Sequence, residues 1–248
     1  MTLGPLFREG VEVSIAEGHG FAAYFYLLIL LVPVAFLALF LPGLDAQLWI
    51  APGAFFTTAA VAAMILIAYF TLRMANQEFA AWRFVPLRRR LVDERVPVGE
   101  VARGHVALLG LQTAVFVLLA APLLVWAGAI ARVPAGRIAA VLALLFFYGV
   151  VYGVWGLVAL AAWERKLEIR QVFIRGFFIT AMIATAVFYL PLNPVAFLLA
   201  YLGDKDMAPL ALAGRRWPPG AAHFLFHFVL TAAGLWLYRR ALKREIDS

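Results

Sequence analysis

Two histidines, His223 and His227, have the spacing in this chain that is best suited to chemistry. Four residues apart on a helix, two imidazoles share one face and could bind a metal ion. No glutamate follows His223, so the H-E-x-x-H metalloprotease motif is absent, and the topology derived below places His19 and His105 at the opposite membrane surface. The pair is therefore a weak metal site or, in preference, two interfacial histidines that bond backbone or headgroups.

Other nucleophiles and ligands are scarce. The chain has no cysteine, which excludes disulfides and thiolate metal sites. Its only serines, Ser14 and Ser248, lie outside the apolar runs, which excludes a serine protease within the membrane. Asp204 and Asp206 could hold a cation, but Lys205 between them favours a solvated loop. No G-x-x-x-x-G-K-[ST] phosphate loop occurs, and we predict no catalytic residue, cofactor or enzyme activity in the chain itself.

The composition points to a membrane protein. Apolar residues make up 65% of the chain and charged residues 14%, whereas soluble domains average about 25% charged. A membrane-spanning helix needs about 20 apolar residues. Residues 21–248 are therefore predicted to form an all-α polytopic domain with six transmembrane helices, near Phe21–Leu41, Ile50–Leu72, Val106–Ile130, Ile138–Trp163, Val172–Leu190 and Ala221–Leu237.

The basic residues predict the orientation of this domain. With the N-terminus inside, 16 of the 21 lysines and arginines fall on the inner side. The positive-inside rule then predicts a multi-pass protein of the cytoplasmic (inner) membrane with both termini in the cytoplasm. The same rule explains the net charge of +7, so binding to nucleic acid is not needed to account for it. The first run is too long for a signal core, and Pro42–Asp45 is not a cleavage site, so we expect this run to be retained.

Two segments are predicted to be helical without crossing the membrane. Leu3, Phe7, Val11 and Ile15 recur every four residues, which indicates an amphipathic interfacial helix over residues 1–20, with a disordered tail as the alternative. Before the last helix, prolines bracket Asn193 and the apolar run that follows is too short to span. We interpret Asn193–Leu202, including Pro194, as a re-entrant segment; the alternative is a kinked fifth helix that continues through it.

The fourth apolar run carries a packing motif. Gly149, Gly153 and Gly156 have the small-residue spacing that lets helices approach closely. Tyr148 and Tyr152 lie among them, and a role in lining a substrate path is possible for both. The spans hold no carboxylate, and ion-coupled transporters usually need one there. Any uphill transport would thus take its energy from elsewhere.

A resemblance to a known family is carried by the long connection 73–105. Its segment Arg88–His105 reads RRRLVDERVPVGEVARGH, and it resembles the cytoplasmic segment of type-2 ATP-binding-cassette (ABC) exporter permeases, where a P-G-E-x-x-x-G-like motif precedes the third span. Val98-Gly99-Glu100 and Gly104 match the second half of that motif, whereas Pro97 stands where serine is common. The segment Leu192–Tyr201 resembles the family's N-P-[LV]-x-x-L element.

The resemblance implies a permease subunit without its own ATPase. A separate ATPase subunit would bind ATP and dock on a short coupling helix, Val96–Gly104, and the permease would pair with a second copy or a paralogue in the lipid bilayer. Pro97 suits the first turn of that helix, and Glu100 would lie near its positive end. The residues assigned to coupling are Pro97, Val98, Gly99, Glu100, Arg103 and Gly104. The apolar spans favour a lipid-like or amphipathic cargo, and the alternative function is a membrane anchor or assembly subunit that transports nothing.

Overall fold

The structure is a computed structural model that describes residues 4–40, 52–212 and 215–247. About 81% of these described residues are helical. Leu3, Leu41, Pro42–Asp45, Ile50 and Ser248, which entered the expectations above, lie outside the described residues. Within them the α-helices are α1 Pro5–Val11, α2 Phe21–Phe40, α3 Pro52–Ala75, α4 Val98–Ile130, α5 Ala135–Ala162, α6 Leu167–Phe188, α7 Pro194–Leu202 and α8 Pro219–Asp247.

Among the described residues, five helices are long and apolar enough to cross a membrane, namely α3, α4, α5, α6 and α8. The number becomes six if the N-terminal pair Pro5–Ala16 and Phe21–Val34, bent by 54°, counts as one span. The expectation of an all-α polytopic protein is confirmed at this level. The apolar runs predicted for these spans all lie largely within helices, because backbone groups that face lipid must be satisfied within a helix.

Glycines allow α5 to pack closely in the centre of the bundle. A Cβ atom at Gly156 would overlap the carbonyl oxygen of Leu72 in α3, and one at Gly153 would overlap the side chain of Leu109 in α4. At Gly149 the obstacle is the Thr113 methyl group. The small-residue face of α5 therefore lies against two neighbouring helices at once.

Polar segments gather at the two ends of the bundle. At the first, which we call the basic end, α1, the loop 76–97, the first turns of α4, the turn 163–166 and the last turns of α8 surround a small apolar core of their own. At the second, the hairpin end, lie the turn 131–134 and residues 189–212 and 215–217. The main apolar core of the spanning helices lies between the two.

The structure departs from the sequence prediction at several boundaries. Helix α4 starts at Val98 rather than Val106, α6 starts at Leu167, and α8 continues to Asp247. A hydropathy pattern marks only the part of a helix inside lipid, and it misses charged turns that continue the helix into water. The strands Leu210–Leu212 and Arg215–Trp217 pair antiparallel in a small hairpin that the sequence analysis missed.

Candidate functional site at the basic end

The N-terminal helix α1 packs against the start of α4. Leu6 is buried, and it lies within 3.1 Å of where a Cβ atom would stand on Gly104. Gly10 is buried opposite Leu108, whose side chain a Cβ atom would overlap. The face that packs on the protein thus contains Leu6 and Gly10, and the predicted stripe through Phe7 is rotated away from it. The sequence analysis predicted that this stripe lies on lipid. The helix packs on the protein with a different face, the one that contains Leu6 and Gly10.

After α1 the helix widens into a π-helical turn, Glu12–Ala16. Val13 and Ser14 are buried in this turn, and the side-chain amide of Gln112 donates to the Ser14 hydroxyl at 3.3 Å. Together with α1 this turn makes one helical segment, Pro5–Ala16, which ends four residues before the predicted boundary at residue 20 because the chain bends by 54° to enter α2.

Glu9 of α1 fixes the loop 76–97 to the bundle. Its carboxylate is hydrogen-bonded to the Arg90 guanidinium, and it also accepts the backbone N–H of Val85 at 3.0 Å. The Arg90 side chain is only 8% exposed, so this ion pair is largely desolvated. A buried arginine left without its partner is strongly unfavourable, and Glu9 thereby selects one loop conformation.

Glu17 makes a second, more exposed contact with the same loop. Arg83 donates to it twice, with 2.8 Å between Nε and Oε2. These hydrogen bonds from Arg83 hold the pKa of the Glu17 carboxyl below its ordinary value. From the other side of the loop, Glu164 accepts the backbone N–H of Leu87. Three carboxylates from distant parts of the chain therefore hold one loop.

The predicted coupling segment is not a separate short helix, and that expectation was wrong. Helix α4 runs unbroken from Val98 to Ile130, with Pro97 as its N-cap residue rather than in its first turn. Gly104 is buried under Leu6, and Glu100 is half-buried beside Gly4. The exposed members of the predicted set are Pro97, Gly99 and Arg103, and Val98 is half-buried. Gly104 therefore packs within the chain and Glu100 partly so, whereas Pro97, Gly99 and Arg103 stay accessible.

The loop instead presents a cleft, which we call the loop cleft. It encloses about 560 Å³ between the loop 76–97 and the start of α6, and its lining includes Trp82, Arg88, Arg89, Asp93, Arg165 and Arg170. The Trp82 side chain is 75% exposed. Exposed tryptophans with arginines around them are typical of protein-binding surfaces. The sequence analysis missed Trp82, although its place inside a charged loop, outside every apolar run, could have revealed it.

His223 and His227 lie inside the hairpin end, and both are fully buried. His223 Nδ1 is 2.7 Å from the Pro191 carbonyl oxygen, so this nitrogen donates, and Nε2 is 2.7 Å from the Tyr148 hydroxyl. Phe197 of α7 stacks on the ring, with the centroids 3.9 Å apart. His223 thus bonds the backbone, as the preferred expectation allowed, but α7 covers the ring, so bonding to headgroups does not fit.

His227 does not complete a metal site with His223. Its Nδ1 lies 2.9 Å from the His223 carbonyl oxygen, within one turn of α8. Among residues 4–40, 52–212 and 215–247, no group of three or more histidine, cysteine or acidic side chains could hold a metal ion. The tyrosines face this cluster: Tyr148 bonds His223, and the Tyr152 ring lies 6.3 Å from that of His227.

Asn193 and Asp204 have structural roles at the hairpin end. Asn193 caps α7 by accepting the Ala196 N–H at 3.0 Å, and its amide donates to the Met182 carbonyl at 2.8 Å. Pro194 is the first residue of α7, which is a separate helix, so the alternative of a continuous fifth helix was wrong. Asp204 binds Arg137 through two hydrogen bonds of 2.9 and 3.1 Å.

Comparisons with known proteins do not identify the chain. A scan of protein-family models and searches of curated proteins and of solved structures each returned no match. The class of protein that the fold defines is therefore a helical, multi-pass membrane protein. The resemblance to exporter permeases depends on the quoted residues alone.

Proposed function

We propose that the chain is the membrane-spanning permease subunit of an ABC exporter, driven by a separate ATPase subunit. One observation carries the proposal: the loop between α3 and α4 is held rigidly by Glu9, Glu17 and Glu164 and presents an exposed tryptophan in a cleft. A rigid surface on a cytoplasmic loop is what a force-transmitting partner needs, because a mobile loop would absorb the motion. The resemblance of Arg88–His105 to such permeases supports the same assignment.

The loop cleft takes the coupling role that the sequence analysis gave to Val96–Gly104. In this proposal the ATPase inserts a side chain or a short helix beside Trp82 and contacts the surrounding arginines. Its movement passes through Glu9 to α1 and through the packed start of α4 into the span, because Leu6 and Gly104 lie in contact. The partner binds the ATP, since the chain itself has no phosphate loop.

The proposed topology has six spans, with the basic end and both termini in the cytoplasm. Positive charge at the basic end supports this orientation. Helix α1 then lies in the inner interface, and α7, which is nine residues long, enters from the outer face without crossing. Because the chain lacks cysteine, single cysteines at Arg95 and at Asp206 can be labelled with a reagent that does not cross membranes. Labelling of Arg95→Cys in intact cells would contradict the orientation.

Two copies, or this chain with a paralogue, would form the transport path. The exposed apolar side chains of α2 and α6 support contact with lipid or with a second copy; on α6 these include Val172, Val187 and Phe188, which are 71%, 75% and 85% exposed. The carboxylate-free spans favour a lipid-like or amphipathic cargo over a small cation.

The proposal is tested by photo-crosslinking in the source cells. A photoreactive amino acid at position 82 should capture a protein that carries nucleotide-binding motifs, identified by mass spectrometry, whereas the same probe at Trp217, at the hairpin end, should not. Trp82→Ala should weaken binding of the purified ATPase about thirtyfold, as loss of an interface tryptophan typically costs about 2 kcal/mol. Trp217→Ala, with Trp217 37% exposed, is the matched control.

The outcome also discriminates the alternative function. If an ATPase is captured and its ATP turnover responds to cargo only with wild-type Trp82, the permease assignment is supported. Capture of a partner without nucleotide-binding motifs would favour the anchor or assembly subunit instead. Failure to capture any ATPase through position 82 would remove the main support for a coupled exporter.

A further inference from the structure

The basic end has a second groove, which shares no lining residue with the loop cleft. It encloses about 530 Å³ between the first turns of α4 and the last turns of α8, and its lining includes Gly99, Arg103, Trp236, Arg239, Arg240 and Lys243. We call it the basic groove. Arg103 is separated by more than 130 residues from the basic residues of α8, so the fold brings these charges together.

The charges of the basic groove differ from those of the loop. In the loop, Arg83 and Arg90 pair with glutamates. Among the described side chains, no carboxylate lies within ion-pair distance of Arg103, Arg239, Arg240 or Lys243. Arg103 donates to the Gly99 carbonyl at 3.2 Å, and the Arg240 guanidinium lies 5.3 Å from the Trp236 ring centroid. Four exposed cations around one groove favour an anionic occupant.

The groove lies at the boundary between the apolar and the charged parts of α8. The apolar stretch of this helix ends at Tyr238, and Arg239 begins the charged turns. Trp236, which is 59% exposed, is the kind of residue that marks the headgroup level of a bilayer. An occupant at this level meets lipid on one side and water on the other.

The wall behind the groove is fixed. His105 of α4 and Tyr238 of α8 are hydrogen-bonded to each other, and both are buried. The bond joins the two helices next to the groove, since His105 lies just beyond Arg103 in α4 and Tyr238 directly precedes Arg239 in α8. The basic side chains therefore project from a rigid base, which reduces the entropy lost when they converge on one ligand.

We propose that the basic groove binds the phosphate-bearing headgroup of an anionic phospholipid from the adjacent leaflet. Arg103, Arg239 and Lys243 would contact the phosphate, and Arg240 on Trp236 would lie against the glycerol region. The positive-inside rule accounts for the number of basic residues at this end, but it does not require two distant helices to place them around one groove. This inference does not depend on the proposed ATPase partner.

The test compares the full-length chain in nanodiscs of phosphatidylcholine alone and of phosphatidylcholine with phosphatidylglycerol. The readouts are the thermal unfolding midpoint and the phosphatidylglycerol retained in native mass spectrometry. We expect phosphatidylglycerol to raise the midpoint of the wild type and to remain bound. The double variant Arg239→Gln/Lys243→Gln should lose roughly twentyfold or more in lipid retention, because each basic residue near an anionic surface contributes about fivefold.

A matched control removes two charges elsewhere at the same end. Arg95→Gln/Lys166→Gln changes exposed residues outside the groove and should retain the lipid like the wild type. Arg239→Lys keeps the positive charge, so this variant should also retain phosphatidylglycerol. That result would show that the loss in the double variant comes from the missing charge. An equal loss of lipid in the control pair would overturn the proposal in favour of general surface charge. Equal stabilisation by inorganic phosphate in phosphatidylcholine discs would assign the groove to a free anion and overturn the lipid assignment.

Discussion

The two ends of the bundle hold their non-spanning segments with different chemistry. At the basic end, Glu9 and Glu17 form ion pairs with arginines of the loop 76–97. At the hairpin end the Asp204–Arg137 ion pair is exposed, and the buried contacts are neutral: His223 bonds Tyr148 and Pro191, and Asn193 bonds Met182. Charges taken out of water carry a large desolvation cost, whereas a neutral hydrogen bond costs much less to bury.

The comparison shows which end is built to respond to its surroundings. Ion pairs near water weaken in salt and at low pH, and they can exchange partners when another charged surface approaches. Buried hydrogen bonds of an amide side chain, such as those of Asn193, have no charge to screen and no group to titrate. The contacts that hold the loop 76–97 are thus the more sensitive of the two sets to salt and pH, although they hold the loop firmly under ordinary conditions.

The largest expected effect is at the hairpin end. His223→Leu would leave the Tyr148 hydroxyl and the Pro191 carbonyl buried without their partner, and it would remove the stacking on Phe197. We expect a loss of about 2 to 3 kcal/mol in unfolding free energy, since each unsatisfied buried group costs about 1 to 3 kcal/mol. Denaturant titration in a fixed detergent measures it. The double variant His223→Leu/Tyr148→Phe should recover part of the lost unfolding free energy, because it also removes the unpaired hydroxyl. If His223→Leu loses less unfolding free energy than His19→Leu at the basic end, the comparison between the two ends is wrong.

The next largest effect is expected at Asn193. Asn193→Ala removes the cap of α7 and the donor to Met182, and it should cost about 1 to 2 kcal/mol. Asn193→Asp keeps the side-chain oxygen that accepts the Ala196 N–H but loses the amide that donates to Met182. The same titration on this variant therefore separates the contribution of the helix cap from that of the bond to Met182. If Asn193→Ala leaves stability unchanged, α7 is held by its apolar contacts alone.

How well the sequence predicted each feature depends on how far apart in the sequence the interacting residues lie. Helices α3 to α6 could be predicted because a long apolar run is a local property of the sequence. The pairing of Glu9 with Arg90 and of Asp204 with Arg137 could not, since nothing local tells which of several carboxylates an arginine will meet. Placing His223 and His227 on one helix face was a local inference, but their burial depends on how α7 packs.

The site was predicted less well than the fold for a related reason. The resemblance predicted a partner-binding site in the loop 73–105, and the loop cleft lies in that loop. Within it, the motif residues Gly104 and Glu100 turned out to pack on the N-terminal segment. A motif shows which residues a family shares, and a shared residue can serve packing inside the chain as well as contact with a partner.

A smaller effect is expected from Glu9→Gln. The glutamine keeps a neutral hydrogen bond but loses the charge opposite Arg90, and we expect local opening of the loop to become easier by about 1 to 2 kcal/mol. Hydrogen exchange at the Val85 amide, which donates to Glu9, should accelerate about five- to thirtyfold. Glu12→Gln, exposed on the adjoining turn, is the matched control. Molar salt should reduce the difference between wild type and variant, and no change at Val85 would show that Glu9 does not hold the loop.

The smallest effect concerns pH and the exposed Glu17–Arg83 pair. Because the pKa of Glu17 is lowered in the folded chain, the pair contributes stability that is fully present above the unfolded pKa, near the ordinary value of 4.5. That contribution is lost as the pH falls through the lowered folded value. Hydrogen exchange in residues 80–84 should thus speed up below pH 4.5 more in the wild type than in Glu17→Gln. Equal acceleration in both would assign the acid sensitivity of the basic end to another carboxylate. The neutral contacts around Asn193 should show no such dependence over the same range.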